Sequence, residues 1–444
     1  MNYFKKTSLI SSAALLIFFN ISLYAEVRVS AIADRPIVVV GQDQNIVVKV
    51  GLIADKDKKT KRMPINLAVV LDKSGSMGSN QKMENAKLAA LDVIQRLDEE
   101  DIFSLVIYDD EPRILIPAQR VKNKDYLAGL VRNVYSGGST ALWGGVNFGA
   151  AEVRKNLSDQ YINRIILLSD GLANVGPQST EELSELGRRL SHEGITVSTV
   201  GVGLDYNEDL MAGLAKGSDG NFYFAKNSDS LPEIFSQEIG EAMTLQAKDI
   251  KIHLECLGEA RPVSVIGRKG SITEKSFELG IKDLYSNSEK FALFEMSLPK
   301  GKDGQVIKAA SISIEYTDPY SRKAYKDTKE VTIKYTGNIE MADQQLNKDV
   351  VKDVALNRVS VQNEQAVQLS KQGKYKEASK LFEKGKRELE KSAAVCDNDS
   401  ELLGAAKDAG SLAASLIRNK SLSSFEYKAT KSRSYGITNQ QRAW

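Results

Sequence analysis

Histidine, cysteine and tryptophan are scarce in this chain: its 444 residues contain two of each. His192 lies in an exposed helical pattern and His253 in an alternating strand pattern, which suits surface or structural roles better than a histidine metal centre or a proton relay. Cys256 and Cys396 permit one disulfide at most, and they fit equally well as two small buried hydrophobes, because spacing alone does not fix the geometry. Net charge is nearly absent as well. With 60 basic residues against 58 acidic ones, no global field draws the protein onto nucleic acid or anionic lipid, so partners must be selected locally. The basic run from Lys56 to Arg62 reads as a solvated loop between strands. No HExxH helix, phosphate-binding GxxxxGK loop or GxSxG elbow is found, and the glycine-rich stretch from Gly137 to Gly145 lacks the GK pair of a phosphate loop.

The composition that is present is globular, with 42% hydrophobic and 27% charged residues, and the length calls for two or three domains. Near the N-terminus, Lys5 and Lys6 precede an apolar stretch from Leu9 to Phe19, and Ala25 offers a small residue for cleavage before Glu26. Residues 1–25 therefore read as a secretory signal peptide, with a retained anchor as the alternative. Export to the periplasm or the cell exterior follows, with no stable membrane span after signal removal.

From Ile65 to about Met243, short Val-, Ile- and Leu-rich runs alternate with amphipathic stretches, the signature of βαβ units on a parallel sheet covered on both faces. Ile65–Leu71, Asp101–Tyr108, Arg164–Leu168 and Ile195–Val202 predict strands; Lys82–Leu97, Leu142–Leu157, Thr180–His192, Asn207–Lys216 and Asp229–Met243 predict helices. Ser179 with Glu182 predicts a capping box.

On either side the period falls to two, in Val27–Val29, Ile46–Val50, Ser311–Glu315 and Val331–Lys334, with a Thr317-Asp318-Pro319 turn joining the last two. The leading strands are too few to form a sheet alone, so the pattern predicts one β-sandwich split by an inserted α/β domain. The fold class is thus α/β: a doubly wound, mostly parallel, Rossmann-like sheet inserted in a β-sandwich, plus a C-terminal helical segment. The expected boundaries are 26–62 and 246–338 for the sandwich, 63–245 for the α/β domain, 339–420 for the helical segment and 421–444 for a flexible tail. A helical hairpin packed on the sandwich is the expected form of the segment.

The strand Leu67–Leu71 ends in Asp72-Lys73-Ser74-Gly75-Ser76-Met77-Gly78, which places a carboxylate and two hydroxyls at the carboxyl edge of the sheet, where open α/β folds hold ligands. The strand Arg164–Leu168 leads to Ser169-Asp170-Gly171, and the loop Ser136–Leu142 supplies Thr140. Asp72, Ser74, Ser76, Thr140 and Asp170 are hard oxygen donors of the kind a cation such as Mg²⁺ selects.

The three segments DKSGSMG, GGSTALWGG and LLSDGLANVG resemble the metal-binding loops of von Willebrand factor A domains, with the metal-ion-dependent adhesion site, over roughly residues 65–243. The split sandwich is similar to secreted bacterial proteins of that group. The resemblance implies adhesion rather than catalysis: Ser74, Ser76 and Thr140 contacting one Mg²⁺ (Mn²⁺ or Ca²⁺ as alternatives), Asp72 and Asp170 acting through water, and an open position that takes an Asp or Glu carboxylate from a protein partner. Two other readings compete. One is a structural scaffold that binds through its helical segment. The other is a Mg²⁺-dependent hydrolase, which needs a second acid two residues after Asp72, where this chain has Ser74.

Overall fold

The computed structural model describes residues 27–56 and 62–441. The signal-peptide reading of residues 1–25, most of the basic loop after Lys56, and Trp444 lie outside the described residues.

The chain opens with β1 (Val27–Ala33), β2 (Ile37–Val39) and β3 (Gln44–Ala54). The α/β unit follows: β4 (Ile65–Asp72), α1 (Lys82–Arg96), β5 (Ile102–Tyr108), β6 (Pro112–Arg120), α2 (Lys124–Arg132), α3 (Leu142–Arg154), β7 (Ile162–Ser169), α4 (Thr180–His192), β8 (Thr196–Val202), α5 (Glu208–Gly217), β9 (Phe222–Ala225) and α6 (Leu231–Ala242). Seven more strands come next: β10 (Leu245–Cys256), β11 (Arg261–Ile266), β12 (Ser271–Ile272), β13 (Ser276–Tyr285), β14 (Ser288–Leu298), β15 (Val306–Thr317) and β16 (Ala324–Thr336). Helices α7 (Ile339–Gln344), α8 (Lys348–Lys371), α9 (Tyr375–Val395), α10 (Ser400–Asn419) and α11 (Ser424–Asn439) complete the described chain.

In the α/β unit the strand order is β6-β5-β4-β7-β8-β9, parallel except for β6 against β5. Every residue of β4 and β7 is buried, because helices cover both faces. The two-residue period sorts their side chains: Leu67, Val69 and Leu71 pack toward α1 and α6, whereas Ala68 and Val70 pack toward α3, α4 and α5. The chain leaves β4 on one side for β5 and returns on the other side for β7. This places the topological switch point, where ligands sit in open α/β sheets, between the carboxyl ends of β4 and β7.

The sandwich packs sheet β1-β3-β14-β11 on sheet β12-β13-β10-β15-β16-β2 around one apolar core. β3 lies between β1 and β14, and pairs Gln44 with Leu298 across the whole inserted unit; β2 runs parallel to β16. β1 and β3 pair with each other, but the sheets that bury them are completed only by β14 and β16, made after the α/β unit, and the fold class expected from the sequence is the one observed. The capping box of α4 is also present, with both Ser179 and Glu182 making their bonds. Cys256 and Cys396 are both buried and unpaired, and burial pushes the Cys256 thiol up to about 11.

Two expectations about the C-terminal third are corrected. In place of a helical hairpin, the four long helices α8 to α11 form a bundle that packs on the sandwich through α8 and on the α/β unit through α11. In place of a mobile tail after residue 420, α11 opens with a capping box of Ser423 and Glu426 and buries Lys428, Thr430, Ser434, Tyr435 and Thr438. Its attachment is polar: Lys428 Nζ donates to Glu208 Oε2 and to the Tyr206 carbonyl, each at 2.8 Å, and Tyr435 Oη donates to the Gly220 carbonyl at 2.6 Å. Past its end, the Gln441 amide accepts from the Phe222 N–H at 3.1 Å and donates to the Phe222 carbonyl at 3.2 Å, covering the edge strand β9. No helix among the described residues is long and apolar enough to cross a membrane.

Candidate metal centre

Asp72 is the last residue of β4, fully buried, and both carboxylate oxygens are engaged. The Ser74 N–H donates to Oδ1 at 2.9 Å, and the Ser169 hydroxyl at the end of β7 donates to Oδ2 at 2.9 Å. A 3-10 turn, Gly75–Gly78, then swings Ser76 back over the sheet edge, so that Ser74 Oγ and Ser76 Oγ lie 3.1 Å apart and Ser76 Oγ donates to Asp170 Oδ1 at 2.7 Å. Four of the five residues singled out from the sequence thus join in one hydrogen-bonded chain across the switch point.

Thr140 arrives from the third loop. Its N–H donates to Asn174 Oδ1 at 2.9 Å, and the Asn174 N–H donates back to the Thr140 carbonyl at 3.2 Å, which locks two loops together. Its hydroxyl makes none of the links that join the other four residues. It stands instead over Gly171, where a Cβ would lie 3.2 Å from Thr140 Oγ1 and 3.6 Å from Ser76 Oγ. Only a residue without a side chain leaves that space between the two hydroxyls open.

The loops are fixed by their backbones. Gly75 N–H donates to the Gly138 carbonyl at 2.9 Å and Gly137 N–H to the Lys73 carbonyl at 2.7 Å. Gly138 has a φ of +84°, and a Cβ there would lie 2.7 Å from Asp110 Oδ2, so the position admits only glycine without strain. Asn80 and Gln81 both adopt left-handed conformations and turn the chain into α1. That turn delivers a residue which sequence reasoning missed: Lys82, nearly buried, donates from Nζ to Asp170 Oδ2 at 2.7 Å. Its partner lies 88 positions away, and nothing local to Lys82 marks it. Ser169 and Asn174 were missed in the same way, although both sit inside the quoted loop LLSDGLANVG.

Electrostatics follow from this burial. Loss of water pushes the Asp72 carboxyl up to about 6, with the Asp170 charge adding to the rise and the hydrogen bonds from Ser74 and Ser169 opposing it. Two fully buried carboxylates thus lie together, Asp170 paired with the Lys82 ammonium, while Ser76 is exposed and opens the site to solvent.

A divalent cation fits these groups on two grounds. The donors are all hard oxygens, two carboxylates and three hydroxyls, and Gly171 keeps the space between Thr140 and Ser76 free of a side chain. Among the described residues, no three His, Cys, Asp or Glu side chains cluster in a metal-binding arrangement; a site built mainly from hydroxyls is of a different kind.

Residues 66–237 match the family model of the von Willebrand factor type A domain. An uncharacterized protein of Synechocystis sp. is 27% identical over 285 residues, covering 62% of this chain and 66% of that one, so the chain spans just under two thirds of that relative. Two solved structures share the fold across most of the chain. A von Willebrand factor type A protein from Catenulispora acidiphila superposes with a TM-score of 0.65 at 14% identity, covering 88% of this chain and 97% of that one. The ArnB paralog VWA2 from Sulfolobus acidocaldarius gives 0.59 at 17% identity, covering 93% and 98% respectively.

Proposed function

We propose that the von Willebrand factor type A domain of residues 66–237 is a metal-dependent binding module for a protein ligand that presents an Asp or Glu carboxylate. Domains of this type typically mediate protein–protein interaction or adhesion, which is the coarser half of the reading. The finer half is that Asp72, Ser74, Ser76, Thr140 and Asp170 hold one divalent cation, Mg²⁺ before Mn²⁺ or Ca²⁺. The observation that carries it is the chain of contacts from Asp72 through Ser74 and Ser76 to Asp170, closed by Thr140 over Gly171.

The cation would supply a positive charge that three neutral hydroxyls do not offset and the two carboxylates offset only in part, since Asp170 is already paired with Lys82, and that is hence attractive to an outside carboxylate. The protein's own residues do the rest. Ser169 and the Ser74 N–H fix the Asp72 carboxylate, Lys82 fixes Asp170, and Asn174 fixes the Thr140 backbone. Ser74 stands where a phosphoryl-transfer enzyme of the dehalogenase type needs its second acid, so the domain is read as a binder and not as an enzyme. Export is proposed on the signal-peptide reading of residues 1–25 alone.

The test is binding of Asp- and Glu-containing peptides, with their Asn and Gln counterparts as controls, to the whole chain in Mg²⁺ and in chelator. Capture of the acidic peptides should need Mg²⁺ and vanish in Asp72→Ala and Asp170→Ala, while thermal melts of both variants stay cooperative. Acidic-peptide binding that survives chelation sinks the reading and turns attention to the helical bundle.

A further inference from the structure

Helices α8, α9, α10 and α11 do not close on one another completely. Small residues of α10, Ala405 and Ala409, face the larger Leu356, Leu389 and Ile437 across a cavity of about 350 Å³. This is roughly twice the ~150 Å³ of an engineered apolar cavity that takes up benzene, and it falls within the ~300–1,000 Å³ of small-molecule sites. A core at ordinary packing density leaves no such space.

The wall is not uniformly apolar. Asn363 contributes to it, and its Oδ1 is buried with no hydrogen-bond partner. An unpartnered buried acceptor costs free energy that a bound donor restores. The charged groups in the wall are already satisfied: Arg433 is ion-paired with Asp408, and Glu426 accepts from the N–H and the hydroxyl of Ser423 at 2.7 and 2.8 Å. The cavity thus combines an apolar body with one waiting acceptor.

We propose that this cavity is a binding site for a neutral amphiphile, a medium-chain alcohol or primary amide of on the order of a dozen non-hydrogen atoms, as scaled from the benzene-sized cavity. Its donor meets Asn363 Oδ1, and its chain lies along Leu356, Leu389 and Ile437. A fatty acid of the same length is disfavoured, because an ionised carboxylate carries no donor for Asn363 Oδ1 and would set a negative oxygen against that acceptor. The site is independent of the metal centre, and its occupancy tests nothing about the cation.

The probe is decan-1-ol, read by displacement of 1-aminoanthracene fluorescence from the whole chain, with decanoate at pH 8 as the charged control. Decan-1-ol should displace the dye at one site per chain, and decanoate at least tenfold more weakly. Ala409→Phe, which fills the cavity, should lose alcohol binding at least tenfold without lowering the melting temperature. If that variant does not fold, Ala405→Leu on the same helix takes its place. Asn363→Leu should weaken the alcohol but leave the affinity for decane unchanged. No displacement from the unmodified chain, equal displacement by decanoate, or unchanged binding in the filled variant each overturns the proposal.

Discussion

Strand β7 carries buried charge at both ends, and the two ends are built differently. At its start, Arg164 is 1% exposed and its guanidinium pairs with Glu238 and Tyr285. The Glu238 carboxylate also takes the Ser198 hydroxyl, the Asn221 amide at 2.9 Å and the Tyr223 hydroxyl at 2.8 Å. Burial alone raises that carboxyl, yet Arg164 and these donors hold it below the usual carboxylate range. With about four lone-pair sites on a carboxylate, nothing is left for a ligand. At the far end of the strand, Asp170 takes one hydroxyl and one ammonium, Asp72 beside it is raised rather than lowered, and exposed Ser76 opens the cluster to solvent. Buried charge by itself therefore does not mark a functional site; the distinction lies in whether the acceptors are used up and the group is reachable.

This contrast can be broken from either end. The largest effect is expected at the closed cluster: Glu238→Ala leaves buried Arg164 with only the more distant Asp283, at 3.9 Å, as counter-ion and should cost about 3–5 kcal/mol in urea unfolding, with the double variant Arg164→Met, Glu238→Leu recovering part of the loss. A cost under about 1 kcal/mol would show that the cluster is solvated and the contrast false.

Acid comes next. Burial raises the carboxyls of Glu208 and Asp209, but Lys371 and Lys428 together outweigh it at Glu208, and Lys371 and Lys431, with Gln368, at Asp209, so both fall below their ordinary range in the folded state. A depressed folded pKa contributes stability that is complete above the unfolded value of about 4 and lost as pH falls through the folded one. Urea midpoints should drop between about pH 5 and about pH 3, and Glu208→Gln should flatten part of that drop. An unchanged slope in the variant means that these pairs do not hold the bundle to the α/β unit.

Smaller again is Gly138→Ala, which forces a side chain into a left-handed position and should cost about 1–2 kcal/mol, measured by thermal unfolding. The least effect on stability is expected for Asp72→Asn, within about 1 kcal/mol, since it removes a buried charge and keeps one oxygen to accept from the Ser74 N–H, while the Ser169 hydroxyl can turn to accept from the new amide NH2 and donate to the Gly171 carbonyl. A loss as large as that of Glu238→Ala would make the open end structural too.

Much of this architecture was legible in the sequence, because strands buried on both faces read as apolar runs and the helices between them read at their own period. β6 escaped notice since Pro112 and Pro117 interrupt it, which an edge strand tolerates. α11 escaped because its buried face is polar and depends on Glu208, Gly220 and Phe222 some 200 positions away, although Ser423 and Glu426 carry the same capping signal that marked α4. At the site, Asp72, Ser74, Ser76 and Asp170 were legible because they end or follow a strand, and Thr140, between α2 and α3, because its loop resembles that of the family. Lys82 was not, since its role exists only once β7 lies beside β4.

The central claim is that the open end of β4 and β7 holds one divalent cation, and Mn²⁺ titration of the whole chain followed by electron paramagnetic resonance tests it most directly. The account predicts one bound Mn²⁺ per chain, displaced by Mg²⁺ and lost in Asp72→Asn with the fold intact. No bound ion, or one that the folded Asp72→Asn variant still holds, contradicts it.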